Sequence, residues 1–135
     1  MISFRRVLGA VGLVVIGSLI AFAVPNFLTA LNRSRQKRSM AGVRDWAVAL
    51  ENARGHQMSP MVGYSDRLIL ANSELPRTDG WGTPYRIRMG NAHTTVSSAG
   101  RDAVFQVLIR NGATTSFDED IVYSDGAFIQ YPEGI

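Results

Sequence analysis

At 135 residues the chain has room for one ordinary domain, or for a small domain and a membrane element. It contains no cysteine, which excludes disulfides, thiolate metal sites and a cysteine nucleophile. The net charge of +3 divides unevenly: residues 1–55 hold eight Lys or Arg against two acids, and residues 56–135 hold six against nine. A basic first part therefore precedes an acidic second part, which argues against a uniformly basic nucleic-acid module.

From Val7 to Val24 eighteen residues carry no charge, and Ser18 is the one clearly polar side chain among them. A helix of about 20 such residues, at 1.5 Å each, crosses roughly 30 Å of hydrocarbon. A buried core helix is the bland alternative, but the 80 residues after Gly55 are too few to enclose it. A cleaved signal peptide is the other, with Arg5 and Arg6 as its basic start. The run exceeds the usual length for one, and Pro25-Asn26 follows where small residues should lead to cleavage. The expectation is a retained anchor over residues 1–25.

Pro25 removes one helical hydrogen bond and kinks a membrane helix more often than it ends it. Beyond it Phe27 and Leu31 lie four apart, and Met40, Val43, Ala47 and Leu50 recur at three and four, with Trp46 beside them. Asp45 and Glu51 are placed on the outer face, and Gly55 supplies a stop with Pro60 beyond it. The pattern predicts one helix from about Phe4 to Arg54, bent near Pro25, with an amphipathic half over residues 26–55. Residues 56–80 read as a loop. Strand-like segments follow at Thr83–Met89, Thr94–Ser97, Val104–Ile109, Ile121–Tyr123 and Ala127–Tyr131. Ser124-Asp125-Gly126 suits a tight hairpin turn, and Gly90-Asn91 a second turn. The fold expected is α+β: a long N-terminal helix, membrane-spanning in its first half, packed on a small C-terminal antiparallel sheet in a head of residues 56–135.

Pro25-Asn26-Phe27-Leu28, Ala30-Leu31-Asn32-Arg33 and Gln36-Lys37-Arg38-Ser39-Met40-Ala41 resemble the N-terminal helix of type IV pilin-like proteins, and most closely that of the major pseudopilins, the protein G class, of type II secretion systems. Asp79-Gly80-Trp81-Gly82-Thr83-Pro84-Tyr85 resembles its D-P-W-G-N-P-Y motif, and Ser98-Ala99-Gly100-Arg101-Asp102 its S-L-G-A-D. Phe117 to Gly126 and Tyr131 to Gly134 look like the tail of pseudopilin-like paralogues. The resemblance implies processing between Ser3 and Phe4, where the family has glycine before a phenylalanine. Leu8 stands where the family has a glutamate. It also implies that one helix first anchors the subunit and then packs with identical helices in a filament core. Gly17 and Ala21 form a small-xxx-small pair suited to such packing. Trp81, Pro84 and Tyr85 are expected to fix the sheet's first turn on the helix, with Trp81 buried against Val43, Ala47 and Leu50.

One constellation could coordinate a metal. Asp102, Asp118 and Asp120, with Ser98 and the carbonyl of Ala99, offer the hard oxygen ligands that calcium takes. The resemblance implies calcium in the corresponding loop, although Ala103 replaces a family glycine and residues 104–117 replace a short Gly-rich segment. The competing reading is acids that solvate a loop and cap turns. His56 and His93 show no metal-ligand spacing, and no phosphate-binding or dinucleotide motif is present, so the chain reads as a non-enzyme without a small-molecule substrate. Ser97, His93 and Asp102 supply the residue types of a triad, as almost any chain does.

Arg33, Arg35, Lys37 and Arg38 form a basic collar that could lie free in solvent, meet anionic headgroups, pair with neighbouring heads or touch nucleic acid. Two positive charges precede the apolar run and four follow it, which favours an inward C-terminus. The resemblance implies the reverse: a single pass through the bacterial inner membrane, with the head in the periplasm. The function expected is a structural subunit that assembles with itself and with other pilin-like subunits. The rival is a membrane-tethered binding or regulatory module that never polymerises, including a tip subunit or a DNA-contacting one.

Overall fold

A computed structural model describes residues 4–55, 74–90 and 93–134. Most of the loop expected over residues 56–80, together with Asn91 and Ser3, lies outside them. The chain divides into two compact units, Met1–Arg33 and Ser34–Ile135. Its elements are one helix, α1 (Phe4–Gly55), and five strands: β1 (Arg86–Met89), β2 (Thr94–Ser98), β3 (Gly112–Thr114), β4 (Ile121–Ser124) and β5 (Ala127–Pro132). The architecture is α+β, with the helix packed on a five-stranded sheet of order β1-β2-β4-β5-β3.

In the first unit, Pro25 lies within α1. Ser18 and Thr29 each donate to the carbonyl four residues back, on Val14 and Pro25, at 2.9 Å. Such back-bonding is a local way for a hydroxyl inside a helix to be satisfied. Val14, Val24, Phe27, Leu28 and Leu31 are exposed. Among the described residues no helix is long and apolar enough to cross a membrane. Most side chains of the run from Val7 to Val24 fall outside that description.

The second unit is held by a helical stripe. Gln36, Ser39, Gly42, Val43, Trp46, Ala47 and Leu50 are buried at intervals of three and four, as one face of a 3.6-residue helix requires. Asp45 and Glu51 face outward, as the sequence predicts. Against Val43, Trp46, Ala47 and Leu50 the sheet sets Val96 of β2 and Ile121 of β4, flanked by half-buried Tyr85, Ile87, Met89, Tyr123 and Phe128. Trp46, placed beside the stripe by its spacing, is at its centre: it is 1% exposed, and its indole N–H donates to the Pro76 carbonyl at 2.7 Å.

β1 and β2, β2 and β4, and β4 and β5 pair antiparallel. The β4–β5 turn takes positive φ at Asp125 (50°) and Gly126 (90°), the geometry that matches strand twist in a two-residue hairpin. Between Val122 and Tyr123 the β4–β5 register slips by one residue. Three expectations are corrected. The sheet is mixed rather than antiparallel, because β3 lies parallel to β5 at the far edge, Gly112 opposite Gln130. Their connection passes through β4, so no hairpin fixes their relative direction.

Residues 104–109, expected as a strand, have no ladder partner. Their backbone donors go to side chains instead: Val104 N–H to Asp102 Oδ1 and Gln106 N–H to Asp120 Oδ2, both 3.0 Å, with Arg110 N–H to Gln130 Oε1 at 2.6 Å just beyond. A backbone group satisfied in this way is withdrawn from sheet pairing. β1 likewise starts at Arg86 rather than Thr83, since Asp79 and Thr83 exchange hydrogen bonds in the turn before it.

Candidate functional site

Two buried aspartates organise the places that the sequence singles out. The first is Asp79, 4% exposed, at the junction of helix and sheet. Its Oδ1 accepts the N–H groups of Trp81 (3.0 Å) and Thr83 (2.9 Å), and its Oδ2 accepts the Ser98 hydroxyl at 2.7 Å. The next residue, Gly80, lies against the backbone of α1: a Cβ there would overlap the Arg35 carbonyl. Its N–H donates to Ser39 Oγ at 2.9 Å, and Ser39 in turn donates to the Arg35 carbonyl at 3.0 Å. The Asp-Gly dipeptide thus ties α1, the turn and β2 together in one network.

The aromatic partners divide differently from the expectation. Trp81 is half-buried and is not in the core cluster, so it does not dock on Val43, Ala47 and Leu50. The Asp79 turn holds its backbone, and Trp46 occupies the core position that it was assigned. Pro84 is exposed, bridged to Thr78, while Tyr85 packs on the core with its phenol over Gly42. Burial, reinforced by the Asp79 carboxylate, raises the Tyr85 phenol well above its ordinary value.

The second aspartate is Asp120, 2% exposed, where the loop after β2 meets the loop before β4. Gly100 makes that meeting possible: it takes φ 73°, and a Cβ would crowd the Phe117 and Glu119 carbonyls at 2.9 Å. Arg101 N–H donates to the Phe117 carbonyl at 2.8 Å. The structure therefore brings the two candidate calcium segments together. It does not aim all their ligands at one point. Ser98 Oγ is committed to Asp79, and the Arg101 guanidinium grips both oxygens of Asp118 at 2.7 Å. Asp102 Oδ1 accepts from Val104, and Ala99 is buried.

Among the described residues no group of three or more His, Asp or Glu is placed to hold a metal. Asp120 nevertheless keeps one oxygen, Oδ1, buried without a hydrogen-bond partner. Burial raises its carboxyl above the ordinary value; the Gln106 N–H opposes the rise, and the nearby Asp102 charge adds to it. A buried carboxylate oxygen with no donor beside another carboxylate is what a cation relieves. Ala103 takes φ 58°, the left-handed region, at the position where the resemblance expects glycine.

The remaining candidates stand apart. Phe4 begins α1, and Leu8 lies in its second turn. Gly17 and Ala21 are exposed, with open space over Gly17. Arg33, Arg35, Lys37 and Arg38 are exposed and make no ion pair among the described residues. His93 pairs with Asp125, not with Asp102, at 2.6 Å. Sequence reasoning overlooked the junction's polar members: Ser39 in a helical core stripe was the available signal. It also overlooked Gln130, fully buried, whose amide donates to Gln106 Oε1 (3.0 Å) and to the Asp120 carbonyl (2.8 Å). No known protein family, no curated protein and no solved structure matches this chain.

Proposed function

We propose that the chain is a pilin-like structural subunit, anchored in a bacterial inner membrane by the first part of α1 and assembled with copies of itself, and with related subunits, into a filament of a secretion or pilus machine. The observation that carries this reading is α1 itself. One helix contains an uncharged run of eighteen residues and then the stripe that the sheet covers. Val24, Phe27, Leu28 and Leu31 are exposed apolar side chains of the kind that lipid or neighbouring helices cover. The head packs on the stripe of that same helix, and the Asp79 junction ties it there. The work done is mechanical, and no chemical step is assigned.

Calcium would be held by Asp102 and Asp120, with the Ala99 carbonyl, and by Asp118 once Arg101 releases it. It would neutralise the orphaned Asp120 oxygen and cross-link two loops at the head's surface. The rival, a tethered module that never polymerises, draws on Leu8 in place of the family's glutamate.

Topology tests the anchor. Alkaline phosphatase fused after Ile135 should be active, and the full chain should resist carbonate extraction from membranes. An inactive fusion with an active cytoplasmic reporter at the same point would overturn the assignment.

A further inference from the structure

The segment 104–110 is exposed and apolar, yet it is firmly built. Val107 is 97% exposed and Leu108 83%, with Val104 and Ile109 also at the surface. Four contacts hold its base: Arg86 stacks on the Phe105 ring at 3.7 Å, Asp120 takes Gln106 N–H, and Gln130 takes Arg110 N–H while donating to Gln106 Oε1. Burying two polar side chains to display Val-Leu-Ile to water is costly for an isolated head. It makes sense for a knob that another surface receives.

The same unit carries a receptacle. A cleft of about 350 Å³ is lined by Ala47 and Glu51 of α1, Thr94 and Val96 of β2, Tyr123 of β4, and the His93–Asp125 pair. Ala47, Val96 and Tyr123 give it an apolar part, and its lining includes Glu51, which makes no ion pair among the described residues. The side chain of Arg110, at the foot of the knob, is 84% exposed, with its guanidinium in a loose 3.7 Å ion pair with Glu119. An apolar knob with a cationic foot thus matches a cleft whose lining combines apolar side chains with an unpaired carboxylate.

The two features lie at opposite ends of the sheet. Asp120 precedes β4 and anchors the knob, while Tyr123 and Asp125 at the end of β4 line the cleft. That is about 13 Å of extended chain. Ser98, opposite Ile121, belongs to the knob end and joins α1 through Asp79 and Gly80 at Ser39. The cleft sits twelve residues along the helix at Glu51, about 18 Å away. A head cannot fill its own cleft.

We infer that Val107, Leu108 and Ile109 of one copy insert into the Ala47–Thr94–Tyr123 cleft of the next, with Arg110 facing Glu51. This rests on the filament reading above and names one contact within it. The contact joins two different patches that lie at opposite ends of the sheet, so copies stacked in one orientation along a filament repeat it head to tail. A knob of three side chains buries far less than the roughly 1,200 Å² of a stable interface. It therefore sets register between subunits that other contacts hold together.

The natural absence of cysteine makes cross-linking clean. In membranes from cells producing the full chain with an assembly machine, a chain carrying both Leu108→Cys and Thr94→Cys should give an oxidised ladder beyond the dimer. Leu108→Cys alone and Thr94→Cys alone should give none, and co-produced they should give the mixed dimer. Arg110→Glu or Glu51→Arg should each lower the 108–94 yield about fivefold, and the pair together should restore it. Filaments seen by electron microscopy without a 108–94 cross-link would overturn this contact and leave the filament reading standing. A Leu108→Cys chain that cross-links to itself would overturn it too. Absence of both filaments and cross-link would sink contact and reading together.

Discussion

The two buried aspartates make opposite use of similar surroundings. Asp79 has every oxygen engaged, by two backbone N–H groups and a hydroxyl, and stands where three elements meet. Asp120 is as deeply buried, but only Oδ2 is engaged and Oδ1 faces no donor. The first site is complete within the chain; the second lacks a partner, and in the reading offered above a cation supplies it. Satisfied buried networks fix a structure, whereas a half-satisfied one carries an energetic cost until something binds.

Removing the complete site should have the largest effect. Asp79→Ala strands three donors at once, each worth about 1–3 kcal/mol when left unpaired in the interior. The loss expected is about 4 kcal/mol in denaturant unfolding of the full chain in detergent, enough to loosen the head from its helix. A loss below about 1 kcal/mol would mean that the junction is not what joins them.

The incomplete site should respond to a ligand instead. At a hundredfold excess over Kd, calcium binding only the folded state adds about 2.7 kcal/mol, so the melting temperature should rise by several degrees over that in chelator. Magnesium should do less, since it demands tighter octahedral geometry. Asp120→Asn should abolish the response and, by removing a charge that burial disfavours, should melt higher than the unmutated chain in chelator. Identical curves with calcium and with chelator would leave the acids as loop-solvating groups.

A smaller gain is expected beside that site. Ala103 holds φ 58°, which strains an L-residue, so Ala103→Gly should stabilise by about 0.5–1 kcal/mol. A destabilising result would mean that the alanine methyl makes a contact outweighing the strain.

The smallest effect concerns acid. The His93 hydrogen bond, helped by Thr94 N–H, holds the Asp125 carboxyl below its usual 3.8. A depressed carboxyl contributes stability that is complete above its unfolded-state value and is lost as pH falls through the lowered folded one. Asp125→Asn keeps an acceptor for Thr94 N–H and tolerates the left-handed turn, so it should change little at neutral pH. As pH falls through and below the usual carboxylate range it should lose less stability than the unmutated chain. Parallel losses would show that the His93 pair contributes nothing.

Elements with a strong local signal were legible in the sequence. The helix ends at Gly55, its stripe follows three-four spacing, and the Asp125-Gly126 turn joins β4 to β5. Long-range choices were not. Residues 104–109 have the β-branched composition of a strand, but side-chain acceptors at Asp102 and Asp120 claim its donors, with Gln130 claiming that of Arg110, and no local pattern announces a distant acceptor. Trp46 and Trp81 illustrate the same limit. Each could serve the core by composition; Trp46 does, with the Pro76 carbonyl taking its indole N–H, while the Asp79 turn holds the backbone of a half-buried Trp81. Of the candidate metal residues, their convergence on two adjoining loops was readable from their order. The capture of Asp118 by Arg101 was not, although the two residues lie in the very motifs compared.

Assembly itself is the most direct test of the account. The full chain should be produced in cells with a type II secretion or pilus-type assembly machine, sheared, and labelled through a tag after Ile135. Labelled filaments should appear in the sheared fraction, and they should be lost when Gly17 and Ala21 are both replaced by leucine in a chain that still inserts in membranes. A chain that remains wholly in the membrane fraction as a monomer, with no labelled filament under any level of the machine, would contradict it.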